Sequence, residues 1–135
     1  MIQFELEIEF SLKKRRKIKE WLNAIAFEEN NKIENLNFLI VDDKRMIHFN
    51  KTYLNHSYST DIITFNTSEN KKISGDIIIS LERVVENAKK YKVELEEELW
   101  RVMAHGLLHL LGYNDKSKEE KERMRKKENY YLDKI

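Results

Sequence analysis

Apolar and polar residues alternate from the start of the chain. Ile2, Phe4, Leu6, Ile8 and Phe10 fall on one side, and Gln3, Glu5, Glu7 and Glu9 on the other. A period of two predicts a strand over 2–10 with one wet face, as at the edge of a sheet. At Ser11 the period changes: Leu12, Ile18, Trp21, Leu22, Ile25 and Ala26 share one helical stripe. Ser11 suits an N-cap, and Asn30 and Asn31 end the helix. A strand over 36–41 follows, then a short helix from Asp43 to about Leu54 with Met46, Ile47 and Phe49 apolar, and a polar loop from Asn55 to Thr60. Strands are expected over 61–66 and 75–79. The unbroken run Ile77-Ile78-Ile79 places the second of these at the centre of the sheet. Three helices close the chain. One starts at Ser80 and carries Leu81, Val84, Val85 and Ala88. Another opens with Glu94, Glu96, Glu97 and Glu98, which suit a positive helix N-terminus, and buries Leu95, Leu99, Val102, Met103, Gly106, Leu107 and Leu110. The last begins at the capping box Ser117 to Glu120, with charges of both signs out to Tyr131, and reads as solvated scaffold.

The expected fold is therefore α/β: a single domain over 1–135, with a mixed sheet of about four strands packed with about five helices. The chain has 135 residues, 41% of them hydrophobic and 36% charged, so a real core sits inside a heavily charged surface. Its 25 basic and 24 acidic residues leave a net charge of +1, which excludes binding by bulk positive charge but not by a local patch. With no cysteine, a disulfide, a thiolate metal site and a cysteine nucleophile are all excluded, and any metal must be held by His, Asp or Glu. No apolar run is long enough to span a membrane, and the N-terminus lacks the pattern of a signal peptide. A cytoplasmic monomer is the expectation.

The chemistry concentrates in His105-Gly106-Leu107-Leu108-His109-Leu110-Leu111-Gly112-Tyr113-Asn114-Asp115. Histidines at i and i+4 on a helix can bind one ion, which puts the metal site on a central helix. Gly112 is the natural residue to stop that helix and reverse the chain, and Asp115 can then return as a third, anionic ligand. The chain holds four histidines and three glycines, and two of each fall inside these eleven residues at the required offsets. The spacing is that of metzincin zinc sites, where a third histidine usually completes the set. Two imidazoles and a carboxylate suit Zn²⁺, one per chain, with a fourth position open for water as in a catalytic site. Zinc peptidases need a glutamate after the first histidine; Gly106 stands there, so peptide hydrolysis lacks its base. A glycine inside a helix also costs about 1 kcal/mol relative to alanine, so close approach of a neighbouring segment or of substrate is expected at Gly106.

At these residues the sequence resembles the YbeY family of zinc-dependent endoribonucleases, whose signature reads approximately H-G-x-L-H-L-x-G-Y-D-H. Asn50-Lys51-Thr52-Tyr53, Ser59-Thr60-Asp61-Ile62-Ile63-Thr64-Phe65 and Gly75-Asp76-Ile77-Ile78-Ile79-Ser80 resemble three further elements of the family, in order. The resemblance implies a hydrolase that cuts single-stranded RNA, with roles in ribosomal RNA maturation at the 3′ end of the small-subunit RNA and in ribosome quality control. Its partners would be ribosomal RNA or the small subunit. It implies catalysis by His105 and His109 through the metal, with Asp115 at the position of the family's third histidine. That carboxylate lowers the net charge of the site and should make a bound water less acidic. The family also places an arginine after the loop tyrosine, where this chain has Leu54. Lys51 and His56 are the nearest replacements, and neither offers a bidentate phosphate fork. Thr60 and Asp61 read equally well as site residues and as turn and strand-start residues.

A candidate RNA contact comes from the residues themselves. Lys13, Lys14, Arg15, Arg16, Lys17 and Lys19 crowd what is expected to be the start of a helix, where the dipole disfavours cations. Phosphate contact would explain them. A reading from another class stays open: an RNA-binding ribosome-assembly factor with a structural or weakly catalytic zinc site.

Overall fold

The computed structural model describes residues 1–56 and 60–135. Along the chain come β1 (Ile2–Leu6), α1 (Arg15–Glu28), β2 (Ile33–Val41), α2 (Asp43–Leu54), β3 (Ile62–Asn66), β4 (Ile73–Ser80), α3 (Leu81–Tyr91), α4 (Leu95–Leu110) and α5 (Lys118–Leu132). The sheet order is β1-β2-β4-β3. β1, β2 and β4 run parallel, and β3 pairs antiparallel with β4. This is the expected single α/β domain with a four-stranded mixed sheet and five helices. The isoleucine run of β4 has a strand on each side, and β1 is an edge.

The register aligns Phe4, Phe38, Ile77 and Thr64 across the sheet, and Leu6, Ile40, Ile79 and Ile62 beside them. That face carries the main core. Ile18, Leu22 and Ile25 of α1, Leu99, Val102, Met103 and Leu107 of α4, and Met124 and Tyr131 of α5 are buried against it. α4 lies on β3 and β4 and touches α1, α3 and α5, so a side chain leaving its last turns is held from several directions. The other face is only partly covered, by α2: Met46 packs with Val41, Ile63 and Ile78. The rest is a groove of about 880 Å³ whose lining includes Glu5, Asn37, Asp76, Phe49 and Tyr53.

β2 starts three residues before the expected 36, at Ile33, and β4 runs over Ile73–Ser80 rather than 75–79; two further boundaries differ for reasons the fold shows. The alternation over 2–10 continues in burial, but the strand stops at Leu6. β2, its one strand partner among the described residues, ends at Val41, one residue past the Leu6–Ile40 pair. The first helix begins at Arg15 rather than Ser11. Its N-cap is Lys14 in the left-handed region (φ 60°) with no side-chain cap bond, and a long-range ion pair from Lys14 Nζ to Glu96 (2.8 Å) holds the position. Three of the other four helix starts follow side-chain caps, while α4 starts after Glu94 with no side-chain cap bond. Asp42, Ser80 and Ser117 each accept a backbone N–H, and Ser117 with Glu120 forms the full capping box. The loop expected over 55–60 is described only in part, because residues 57–59 lie outside the described residues.

Candidate metal centre

α4 ends in a Schellman turn. Gly112 N–H donates to the His109 carbonyl (3.0 Å) and Tyr113 N–H to the Leu108 carbonyl (3.0 Å). Gly112 has φ +104°, a conformation that side chains rarely adopt, and the reversal brings Asp115 back over the helix. His105 Nε2 and His109 Nε2 then lie 3.0 Å apart, and Asp115 Oδ2 is 3.2 Å from the first and 3.4 Å from the second. Zinc bonded at ~2.0–2.1 Å in a tetrahedron separates its ligand atoms by about 3.3 Å, so the three atoms outline one face of such a tetrahedron.

The other ring nitrogens fix the tautomers. His109 Nδ1 donates to the Tyr113 carbonyl at 2.9 Å, and His105 Nδ1 bonds the Glu128 carboxylate at 2.6 Å. Neutral histidines so held present two bare Nε2 lone pairs beside a carboxylate oxygen. Three electron-rich atoms that close repel unless a cation or proton lies among them, and the donor set therefore fits a metal ion. Among the described residues this triad is the one group with the geometry to hold a metal.

Glu128 is itself buried and is held by Arg101 Nη1 (3.2 Å), which also donates to Asn129 (2.9 Å). Burial opposes charge on the His105 ring. The Glu128 hydrogen bond and the carboxylates of Glu128, Asp115 and Asp61 outweigh it, so the His105 pKa lies above its ordinary value. Beside the triad opens a cleft of about 370 Å³, walled by His105, Asp115, Asp61, Arg101 and the face of α5 that carries Glu128. Asp61 precedes β3, and its Oδ2 accepts from Asn87 at 3.4 Å. Burial lifts the Asp61 carboxyl above its ordinary range despite the nearby His105. Glu98, also buried, has no hydrogen bond to its Oε1, which lies 3.7 Å from Arg101 Nε, and burial raises it in the same way.

Gly106 faces away from this cleft, onto the sheet. A Cβ there would lie 2.8 Å from Ile77 Cδ1 and 3.0 Å from Ile62 Cδ1, so close approach of a neighbouring segment is what requires glycine. A peptidase-type glutamate has no room at that position.

The endoribonuclease YbeY family model matches residues 2–135. The chain belongs to the YbeY family. Relatives named endoribonuclease YbeY include those of Cytophaga hutchinsonii, 47% identical over 96% of this chain and 91% of the relative, and Flavobacterium johnsoniae, 46% identical over 95% and 92%. The solution structure of TM1509 from Thermotoga maritima is similar, with a TM-score of 0.72 at 27% identity over 98% of this chain and 87% of that one. As a YbeY-family endoribonuclease, the protein is a nuclease that hydrolyses RNA.

The fold brings together His105, His109 and Asp115, and it adds Asp61 to their cleft. It does not bring Lys51 or His56 there: Lys51 is exposed on the last turn of α2, His56 follows that helix, and neither lines the cleft. Ser59, the first residue of the element ending at Phe65, lies outside the described residues. The basic run 13–17 is divided. Lys14 pairs with Glu96 and, with Lys17, lies over the Trp100 ring at 5.3 and 5.9 Å. Arg16 pairs with Glu20 (3.2 Å), and Arg15 lines the groove on the open sheet face. Lys13 borders a separate hollow near Trp100. The run thus has visible partners at the acidic start of α4, about 13 Å along the helix from His105. Sequence reasoning missed Glu128 and Arg101. The available signal was a glutamate on the buried stripe of α5, spaced with Met124 and Tyr131.

Proposed function

We propose that this protein is a single-strand-specific zinc endoribonuclease of ribosomal RNA processing. Its target would be the 3′ end of the small-subunit RNA, with a part in ribosome quality control, and it would work as a cytoplasmic monomer. The observation that carries the reading is the open triad: three ligand atoms spaced as one tetrahedral face, beside a cleft with room for substrate. Two imidazoles and a carboxylate favour Zn²⁺, which when bound supplies Lewis acidity at the remaining position. His105, His109 and Asp115 hold it. Glu128 and the Tyr113 carbonyl orient the two rings through their Nδ1 atoms. Asp61, with its pKa raised by burial, holds a proton at higher pH than an ordinary aspartate and sits where it can exchange one with a substrate in the cleft. The RNA target is supported by the family, and the ribosomal assignment by the motif resemblance.

Elemental analysis of untagged protein, paired with cleavage of a single-stranded RNA, tests this reading. Wild type should hold about one zinc per chain. His109→Ala should lose metal and cleavage while still binding RNA, and Asp115→Ala should bind zinc more weakly. Undiminished zinc in Asp115→Ala would move the third ligand elsewhere. Wild-type protein that takes up no metal on titration would end the enzyme reading.

A further inference from the structure

The cleft beside the histidines has two walls that the metal triad does not explain. One is α5, where Lys121, Met124, Arg125 and Glu128 share a face at helical spacing. Met124 and Glu128 are buried, whereas Lys121 and Arg125 are exposed at the rim. The other is the end of α3, with Asn87 and Tyr91. Tyr91 is 48% exposed, and two cations reach its ring: the Arg125 guanidinium at 5.8 Å from the centroid and the Lys90 ammonium at 5.6 Å.

Little in the fold needs these cations. Lys121 makes no ion pair among the described residues. Arg125 reaches Glu128 at 3.8 Å, but that carboxylate is already held by Arg101 and His105. Arg101, the third cation of the cleft, is committed to Glu128 and Asn129. An aromatic face flanked by exposed cations is the combination that binds single-stranded nucleic acid, the cations taking phosphate and the ring taking a base. Charge balance agrees. Four carboxylates (Asp61, Glu98, Asp115, Glu128) face three cations (Arg101, Lys121, Arg125), and a divalent ion on the triad turns that deficit into an excess of positive charge.

We propose that Lys121 and Arg125 of α5 hold phosphates of single-stranded RNA next to the metal triad, with a base stacked on Tyr91. The proposal rests on the endoribonuclease reading above and names the path of its substrate. It assigns a binding surface to a helix whose mixed charges read as scaffold, on the side of the molecule where Leu54, Lys51 and His56 contribute nothing.

The test is fluorescence anisotropy of the full-length zinc-loaded protein with a labelled single-stranded oligoribonucleotide, over a range of salt. Zinc content is checked for every variant. Lys121→Ala with Arg125→Ala should weaken binding roughly tenfold or more and flatten the slope of log K against log salt by about 1.4, the loss of two phosphate contacts. Arg123→Ala with Lys126→Ala removes the same charge from the opposite side of α5 and should leave the slope unchanged. Tyr91→Ala should weaken binding without changing the slope, and Tyr91→Phe should restore it. Wild-type affinity and slope in the Lys121/Arg125 double variant, with zinc retained, would overturn the proposal and leave the nuclease reading standing. Equal losses in the two double variants would also overturn it, since only overall charge would then matter. Failure of the wild type itself to bind or cut RNA would sink the nuclease reading and the proposal with it.

Discussion

Glu128 has 4% of its surface exposed on a helix most of whose other charges face water, and an uncompensated carboxylate there would cost several kcal/mol. Its cost is offset by Arg101 on one oxygen and the His105 Nδ1–H on the other. The second bond fixes which nitrogen of His105 faces Asp115 and makes that nitrogen a better donor. Glu128→Gln keeps the shape but loses the charge. It should weaken zinc binding by roughly tenfold to a hundredfold, read by competition with a chromophoric chelator. Unchanged affinity would reduce the Glu128–His105 bond to packing. The candidate triad was legible in the sequence because helix geometry alone brings i and i+4 together and Gly112 marks where the chain turns. Glu128 and Arg101 were not, because their roles depend on α5 packing across α4, a contact between residues 23 and 27 positions apart. Gly106 stood out as anomalous in the sequence, and the fold supplied its cause in Ile77 and Ile62.

At the scale of elements, one residue ties three segments together. Glu29, the C-cap of α1, accepts hydrogen bonds from the Tyr131 hydroxyl of α5 and from the Tyr113 hydroxyl (2.7 Å), and Lys127 Nζ pairs with it at 2.9 Å. Tyr113 is also the residue whose carbonyl orients His109, so this hub braces the turn that carries the metal site. Burial pushes the Glu29 carboxyl up, but the Tyr131, Tyr113 and Lys127 bonds outweigh it, and its folded pKa lies below the ordinary value. The folded state therefore binds this proton less readily than the unfolded chain. The stabilisation is complete above the unfolded pKa near 4.5 and is lost as pH falls through the lower folded value. Glu29→Gln should cost roughly 1–3 kcal/mol near neutral pH and make the acid limb of a stability–pH curve shallower. Urea unfolding at several pH values reads both effects. A variant as stable as wild type at neutral pH, or an acid limb just as steep, would remove Glu29 from this role. Element boundaries show the same division as the site residues. Starts set by local caps at Asp42, Ser80 and Ser117 were readable from the chain. The start of α1 depends on Lys14 meeting Glu96, and the end of β1 on where β2 stops.

For the whole molecule, the hydrophobic pattern was enough to give an α/β domain with β4 at its centre, because isoleucines at 77, 78 and 79 need cover on both faces. It did not reveal that α2 covers only part of the second face, since the groove there is lined by alternating polar residues that any half-wet strand would show. The same pattern says how the molecule should behave without its metal. The main core joins the sheet to α1, α4 and α5 through buried apolar contacts, and none of the three candidate ligands belongs to it. The fold should therefore survive chelation, unlike small zinc domains that unfold with metal loss. Bound metal still stabilises the folded state by mass action, about 2.7 kcal/mol at a free concentration a hundred times Kd. For a domain of this size that corresponds to a rise in Tm of roughly 10 °C. Far-UV circular dichroism before and after treatment with a chelator should show the same helix content at ambient temperature, with a lower Tm that returns on adding zinc. Loss of helicity on chelation would mean that α4 and α5 depend on the ion to pack. A Tm unmoved by zinc would mean that the triad binds it too weakly to matter.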